Sequence, residues 1–307
     1  MSEHPLWSRQ LLRDEGWTDS TLGSAVTAGR LARVRRGTYS RPGELKASAA
    51  HRRLIAATLP ELLPGSVVSH ASAAVLHGLP MREIWLDRVH VTRPGTAHGH
   101  ARVHGITRLS RAPLASDDIT EVDGVPVTSL ARTAVDLART KDHTWGVIEC
   151  DAALHRGATH DALQGCIEAG RRWSGNARAR SCVDFADGLS ESPLESLSRV
   201  QLHRFGLPRP VLQFEVRDGG MLLARCDFAW PEYGVVGECD GKIKYGGLGD
   251  KGLSAADAVM AEKRREWSIR EVGWWLVRWG WAEASDGFAL DQRVRRELDG
   301  RGLRRPA

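Results

Sequence analysis

The chain lacks several things that would have decided its class early. No apolar run approaches the roughly 18 residues of a membrane span, and the start, Met-Ser-Glu-His-Pro, has neither the basic residues nor the apolar core of a secretory signal. These two absences predict a cytoplasmic protein with no membrane partner. The five cysteines, Cys150, Cys166, Cys182, Cys226 and Cys239, are odd in number, widely spaced and free of any Cys-x-x-Cys pair. That spacing argues against a disulfide framework or a zinc knuckle and predicts reduced, buried thiols. Fibre-like composition and internal repeats are also missing. What remains is a 307-residue chain with 42% hydrophobic content, long enough for two or three globular domains.

Charge is unevenly placed. Lysine is scarce, so the basic residues are mostly arginine, and the 43 Lys and Arg exceed the 38 Asp and Glu by five. Residues 1–60 hold ten Lys or Arg against five Asp or Glu, an excess equal to that of the whole chain. The positive balance is therefore an N-terminal property and points to an anionic partner such as DNA.

The same sixty residues have the shape that such a partner needs. Ser8 to Glu15 has helical spacing and stops at Gly16; Thr18 caps a second helix continuing through Leu22 and Val26 to Gly29. A helix pair around a Gly-containing turn is a helix-turn-helix candidate. Leu31 to Arg41 then alternates apolar and basic residues about Gly37, as in a two-stranded wing, which places Arg30, Arg33, Arg35, Arg36 and Arg41 where phosphates would pass. Glu44 to Thr58 is expected to supply the bracing helix that the short N-terminus leaves out.

Residues 61–185 read as a mixed α/β domain. Ser69 caps a helix through Leu76, Arg88 to Thr92 is a strand, and Ser129 caps a helix through Ala138. His98, His100 and His104 sit in a Gly-rich loop and strand without cysteine or paired carboxylates, which favours solvated or phosphate-touching roles over metal ligation. His70 and His77 lie on one helix face, as packing or capping groups. The arginines and Trp173 between 161 and 190 read as a solvated face or linker.

Acids set among core residues mark the third region, 190–307. From Arg225 to Tyr245 two apolar strands flank a turn at Pro231 to Gly234. Glu238 and Asp240 share a strand face, and Asp227 can meet them from the preceding strand. Carboxylates packed against Val235, Val236 and Phe228 are costly unless neutralised, and all-oxygen ligation suits magnesium or manganese. Ser192 and Pro193 open a helix bearing Glu195, and the element order from there is αβββαβ. Trp267, Trp274, Trp275, Trp279 and Trp281 are expected mostly as core.

These motifs carry two resemblances. The run Trp7 to Ser40, with Gln10-Leu-Leu, Gly29-Arg-Leu and Val34-Arg-Arg-Gly-Thr-Tyr, resembles the winged-helix N-terminal domain of AbiEi-type antitoxins of type IV toxin–antitoxin systems. Val68-Ser-His-Ala-Ser-Ala-Ala-Val-Leu-His-Gly-Leu-Pro, Val89-His-Val-Thr-Arg-Pro-Gly and the stretch Val122 to Ala138 are similar to segments C-terminal to the winged helix in actinobacterial members. The αβββαβ order with Glu195, Asp227 and Glu238-Cys-Asp240 resembles the PD-(D/E)xK nuclease superfamily, closest to its very-short-patch-repair-like endonuclease branch. Together these imply a winged helix-turn-helix, a mixed α/β middle domain and a restriction-endonuclease-like C-terminal domain.

The nuclease resemblance implies Asp227 and Glu238 as ligands of Mg2+ or Mn2+, with Glu195 and Asp240 assisting in metal-dependent DNA endonuclease chemistry. Asp240 stands where the pattern has lysine, so the lysine must be Lys242, Lys244 or Lys263. The antitoxin resemblance implies a transcriptional repressor with an inactive nuclease-like domain and a nucleotidyltransferase-type toxin as partner.

Overall fold

The N-terminal elements arise from their capping chemistry. The computed structural model describes residues 5–96, 99–240 and 255–302; Lys242, Lys244 and His98, and the side chain of His100, lie outside the described residues. Strand β1 (Leu6–Ser8) runs into α1 (Arg9–Asp14), capped by Ser8 Oγ accepting from the Leu11 N–H at 3.0 Å. Helix α2 (Asp19–Thr27) opens on a reciprocal cap in which the Thr18 and Thr21 hydroxyls each accept from the other's backbone N–H. Strands β2 (Ala32–Arg35) and β3 (Thr38–Ser40) turn at Gly37, whose φ of +80° disfavours any side chain.

The sheet order is β1-β3-β2, so a third strand joins the hairpin. Its three residues are too few to show alternation in the sequence. Leu12, Leu22, Ala25, Leu31 and Tyr39 close the small core beneath. Helix α3 (Ala47–Thr58) is present where a bracing helix is expected, yet its Ile55 enters the next core along the chain. Its link to the hairpin is polar: the buried Arg53 donates from Nη1 to Ser40 Oγ at 3.0 Å.

The middle of the chain builds a six-stranded sheet. In chain order come β4 (Val67–Val68), α4 (His70–His77), β5 (Val89–Pro94), β6 (Gly99–His104), β7 (Thr107–Ala112), β8 (Ile119–Val122), β9 (Val125–Thr128) and α5 (Leu130–Thr140). The sheet order is β6-β7-β5-β4-β9-β8, with β5·β7 and β4·β9 parallel. Val68, Val89, Val91 and Val127 pack against Ala73 and Leu76 of α4. Helices α6 (His143–His155), α7 (His160–Ala169) and α8 (Asn176–Phe185) come next.

Residues 161–184, expected as a solvated face or linker, are folded into the first of two compact units. Arg178 donates to the carbonyls of Ala138 and Arg139, and Arg180 pairs with Glu168 at 2.6 Å. A buried array explains the order. Asp136 accepts from Arg132 Nε at 2.8 Å and Arg139 Nη1 at 2.5 Å, and both guanidiniums lie within 5 Å of the Trp173 ring centre. Arg139 Nε also donates to Asn176 Oδ1 at 3.0 Å. Charges this deeply buried are held only when paired and hydrogen-bonded.

The first unit comprises Met1–Lys141 and Arg156–Asp184; the second comprises Asp142–His155 and Phe185–Ala307. Helix α6 therefore leaves the first unit, and its Ile148 joins a core with Leu194, Leu197, Phe228 and Trp279.

That second core is framed by α9 (Pro193–Arg204), β10 (Val211–Asp218), β11 (Met221–Trp230), β12 (Val235–Cys239), α10 (Ala255–Glu271), β13 (Trp275–Trp279), α11 (Trp281–Ser285) and α12 (Gly287–Asp299). From α9 to β13 this is an αβββαβ order. The sheet runs β10-β11-β12-β13; the first three strands are antiparallel, and β13 lies parallel to β12, as a crossover of helical length permits. Ser192 Oγ accepts from the Glu195 N–H at 3.2 Å with Pro193 at the first helical position. Trp279 is core and Trp274 and Trp275 pack against the cores, as expected of most of the five, whereas Trp267 and Trp281 are 68% and 41% exposed. No helix among the described residues is long and apolar enough to cross a membrane.

Candidate functional site

Two regions hold the residues singled out by sequence, one in each unit. In the first unit Arg30, Arg33, Arg36 and Arg41 are exposed on and around the β2–β3 hairpin. Arg35 departs from them. A register shift between Arg33 and Arg35 turns its side chain inward, where Nη1 donates to the Ala57 carbonyl at 3.1 Å and Nη2 pairs with Glu61. A side chain only 11% exposed and held by α3 is a structural tie, so Arg35 is corrected from a phosphate contact to a brace.

The second region is a cleft of about 290 Å3 lined by Asp227, Glu238, Cys239, Asp240, Glu262, Arg265 and Arg278. Gly237 prepares it: a Cβ there would stand 2.7 Å from the Trp279 ring, so only glycine lets Trp279 pack under β12 just before Glu238.

The three acids expected to converge all line this cleft, but Glu238 and Asp227 bond to different partners. Glu238 receives a two-pronged bond from Arg265, Nη1 to Oε1 at 2.6 Å and Nη2 to Oε2 at 2.8 Å, and a further bond from Arg278 Nε at 3.1 Å. Glu262 bonds both arginines, and Glu266 pairs with Arg278 at 3.2 Å. The hydrogen bonds that Arg265 donates to Glu238 and Glu262 hold its guanidinium above the usual arginine range. Arg278 owes its place to register, because β13 sets it directly beside Glu238.

Asp227 instead meets Glu195. Ligand atoms of Glu195, Asp227 and Cys239 all lie within 4.8 Å of one another. Asp227 Oδ2 accepts from the Cys239 N–H at 2.9 Å, and Glu195 Oε2 accepts from the Glu191 N–H and from Gln213 Nε2, each at 2.9 Å. Burial raises both carboxyls above their ordinary values, and nearby carboxylates, with Glu191 common to the two, add to the shift. The cause of the division is local. Gln213 has a φ of +51°, and no Gln213–Asp227 rung links Leu212↔Phe228 to Phe214↔Cys226. Cys226 and Phe228, two apart on one strand, consequently pack into different cores, so simple alternation fails at Asp227.

The remaining candidates contribute unequally. Asp240 is exposed at the cleft rim and donates its N–H to the Trp279 carbonyl at 3.0 Å. Lys263 is exposed on α10. Arg225 pairs with Glu191 at 2.7 Å rather than with the cleft acids. Sequence reading missed Arg265 and Arg278; a signal for the first was the run Glu262-Lys-Arg-Arg-Glu, in which positions 262, 265 and 266 share a helix face.

Comparisons extend this picture. Uncharacterized protein Rv2248 of Mycobacterium tuberculosis strain H37Rv and uncharacterized protein MT2308 of strain CDC 1551 are each 28% identical to the chain over 214 residues, covering 69% of it and 73% of their own length. The crystal structure of the RV2827C protein from Mycobacterium tuberculosis is similar at 15% identity and a TM-score of 0.37, over 59% of this chain and 76% of that one. Residues 66–185, the six-stranded sheet and the helices after it, match the family model of the AbiEi antitoxin C-terminal domain.

Proposed function

We propose that the protein is an antitoxin-like transcriptional repressor of a type IV toxin–antitoxin system, reading duplex DNA near its own gene. The observation carrying this is the succession within one chain of a basic helix pair and hairpin and a segment, residues 66–185, similar to the AbiEi antitoxin C-terminal domain. Residues 1–60 act as a winged helix-turn-helix: α2 enters the major groove, and Arg30, Arg33, Arg36 and Arg41 neutralise phosphates on either side. A nucleotidyltransferase-type toxin is the expected partner of the system.

In this reading the αβββαβ domain is a PD-(D/E)xK-like scaffold without catalysis. Glu238 is neutralised by two guanidiniums, and the group that does converge, Glu195, Asp227 and Cys239, includes a thiol, a soft ligand poorly matched to magnesium. Asp227 and Glu238 line one cleft, but both oxygens of Glu238 already accept from Arg265, which lowers its availability to a metal ion. The approach of Glu195 to Asp227 is the one observation favouring the second reading, a divalent-metal-dependent DNA endonuclease.

The two readings separate in one experiment. Full-length protein is tested for salt-sensitive retardation of a duplex from upstream of its own gene, and for nicking of supercoiled plasmid with Mg2+, Mn2+ or EDTA. Retardation without cutting is expected. Metal-dependent cutting lost in Asp227→Ala sinks the repressor-only reading, and failure to bind the upstream duplex sinks the repressor.

A further inference from the structure

A second cavity, of about 240 Å3, lies in the first unit at the junction of α4, β5, β7 and the end of α5. Its polar wall is His70, His90, Arg108, Ser110 and Lys141, Leu137 contributes an apolar wall, and Gly99 and Ala101 are the small residues of β6 at its side. Among the described residues no carboxylate lines it. Register brings the groups together: in the parallel β5·β7 pair His90 stands beside Arg108, and Ser110 comes next on the same face of β7.

We propose that this cavity binds a small phosphate monoester, with Arg108 and Lys141 as countercharge and the two imidazoles and Ser110 as hydrogen-bonding groups. The imidazole rings are 5.7 Å apart and tilted by 39°. His70 Nδ1 bonds Ser69 Oγ at 3.0 Å, which leaves its other ring nitrogen for a ligand. Among the described residues no hydrogen bond engages either ring nitrogen of His90. Among the described residues His70 is also one of three non-glycine residues with positive φ, +50°. That conformation at a helix start costs on the order of 1 kcal/mol, and such strain gathers where a side chain is needed in one place.

Electrostatics agree with the geometry. Burial, with nearby positive groups, holds both histidines neutral, and His90 is pushed down to about 2. Arg108, Lys141 and Arg132 oppose protonation of His70, while Asp136 favours it. Two cationic side chains and two imidazoles on one lining match the charge and hydrogen-bonding needs of a phosphoryl dianion. The volume is below that of drug-sized sites and suits a ligand no larger than a phosphorylated sugar.

The test is calorimetric titration of the full chain with inorganic phosphate, ribose 5-phosphate, a nucleoside monophosphate and a 5′-phosphorylated oligonucleotide. Saturable binding of ribose 5-phosphate is expected, weakened about tenfold or more in both Arg108→Gln and His90→Gln. Arg102→Gln, on the neighbouring strand and outside the cavity, retains it. Circular dichroism of each variant establishes that it is folded. Equal affinity for inorganic phosphate would assign recognition to the phosphoryl group alone. No saturation by any small phosphate at about 10 mM, undiminished binding in either folded variant, or binding of the oligonucleotide alone overturns the proposal.

Discussion

The protein contains two arginine–carboxylate arrays of nearly the same chemistry and opposite standing. Around Asp136 the side chains of Arg132 and Arg139 are 3% exposed and stacked on Trp173. Around Glu238 the side chains of Arg265 and Arg278 are 30% and 34% exposed at the wall of a cleft. The first array cannot lose a member without stranding a charge away from water. The second can exchange a member for solvent or for an anion. Burial, and not the identity of the paired residues, separates a structural array from one available to a ligand.

Four measurements break or sharpen that contrast. The largest effect belongs to Asp136→Ala, expected to cost the first unit about 3–5 kcal/mol by removing the buried carboxylate that two guanidiniums share, with only Arg132 keeping a second one, Asp118 at 2.9 Å. Urea unfolding followed by circular dichroism reads it, and a loss below about 1 kcal/mol would remove the distinction. Next, Arg53→Met should cost roughly 1–3 kcal/mol by leaving Ser40 Oγ without its guanidinium donor, while the Arg41 carbonyl keeps the Ser40 hydroxyl. An unchanged urea midpoint would show that α3 and the hairpin are held by other contacts. Glu238→Gln is expected to cost about 1 kcal/mol or less, because water reaches its partners; a loss as large as that of Asp136→Ala would equate the arrays. The smallest effects fall on the hairpin. Arg33→Gln and Arg36→Gln should each lower the salt dependence of duplex binding by about one counterion, whereas Arg35→Gln should destabilise the fold and leave that slope unchanged.

pH distinguishes the carboxyls further. Asp136 is held below its ordinary value: burial acts to raise it, and Arg132 and Arg139 outweigh that burial. Its contribution to stability is present above about pH 3.8 and is lost as pH falls toward the folded value. Asp227 and Glu195 are raised above 3.8 and 4.5, so the folded state binds protons first and their ionisation weakens it as pH rises. Asp227→Asn should therefore raise the urea midpoint at neutral pH, with the gain vanishing by about pH 4. A gain that persists in acid would sink this assignment.

Much of this fold was legible in the sequence because its signals are local. Ser8, Thr18, Ser129 and Ser192 cap the helices they precede, and the αβββαβ order survives from periodicity and turns alone. The departures come where the backbone leaves its period. A bulge beside Arg35 reverses that side chain, and Gln213 in the left-handed region disturbs the pairing at Asp227 and brings Asp227 toward Glu195. Glu238 is recognisable in the sequence as a cleft acid, but its neutralising arginines are not. Arg265 comes from a helix, and Arg278 from a parallel strand whose pairing no short-range pattern encodes. The stretch at 161–184 looks solvated in sequence because Arg171, Arg172 and Arg178 are exposed, and nothing local shows that Arg178 also caps carbonyls of α5.

Helix α6 carries a further consequence, for synthesis and for dissection. Its residues emerge from the ribosome between two segments of the first unit, yet Ile148 and Asp151 find their partners, Leu194 and Arg199 at 2.6 Å from Asp151, only once α9 has been made. The nascent chain must therefore hold an apolar helix in waiting while the elements around it close. A fragment ended at residue 185, where the family-matched segment stops, would keep α6 and discard what covers it, so truncations there should aggregate for reasons unrelated to DNA or toxin.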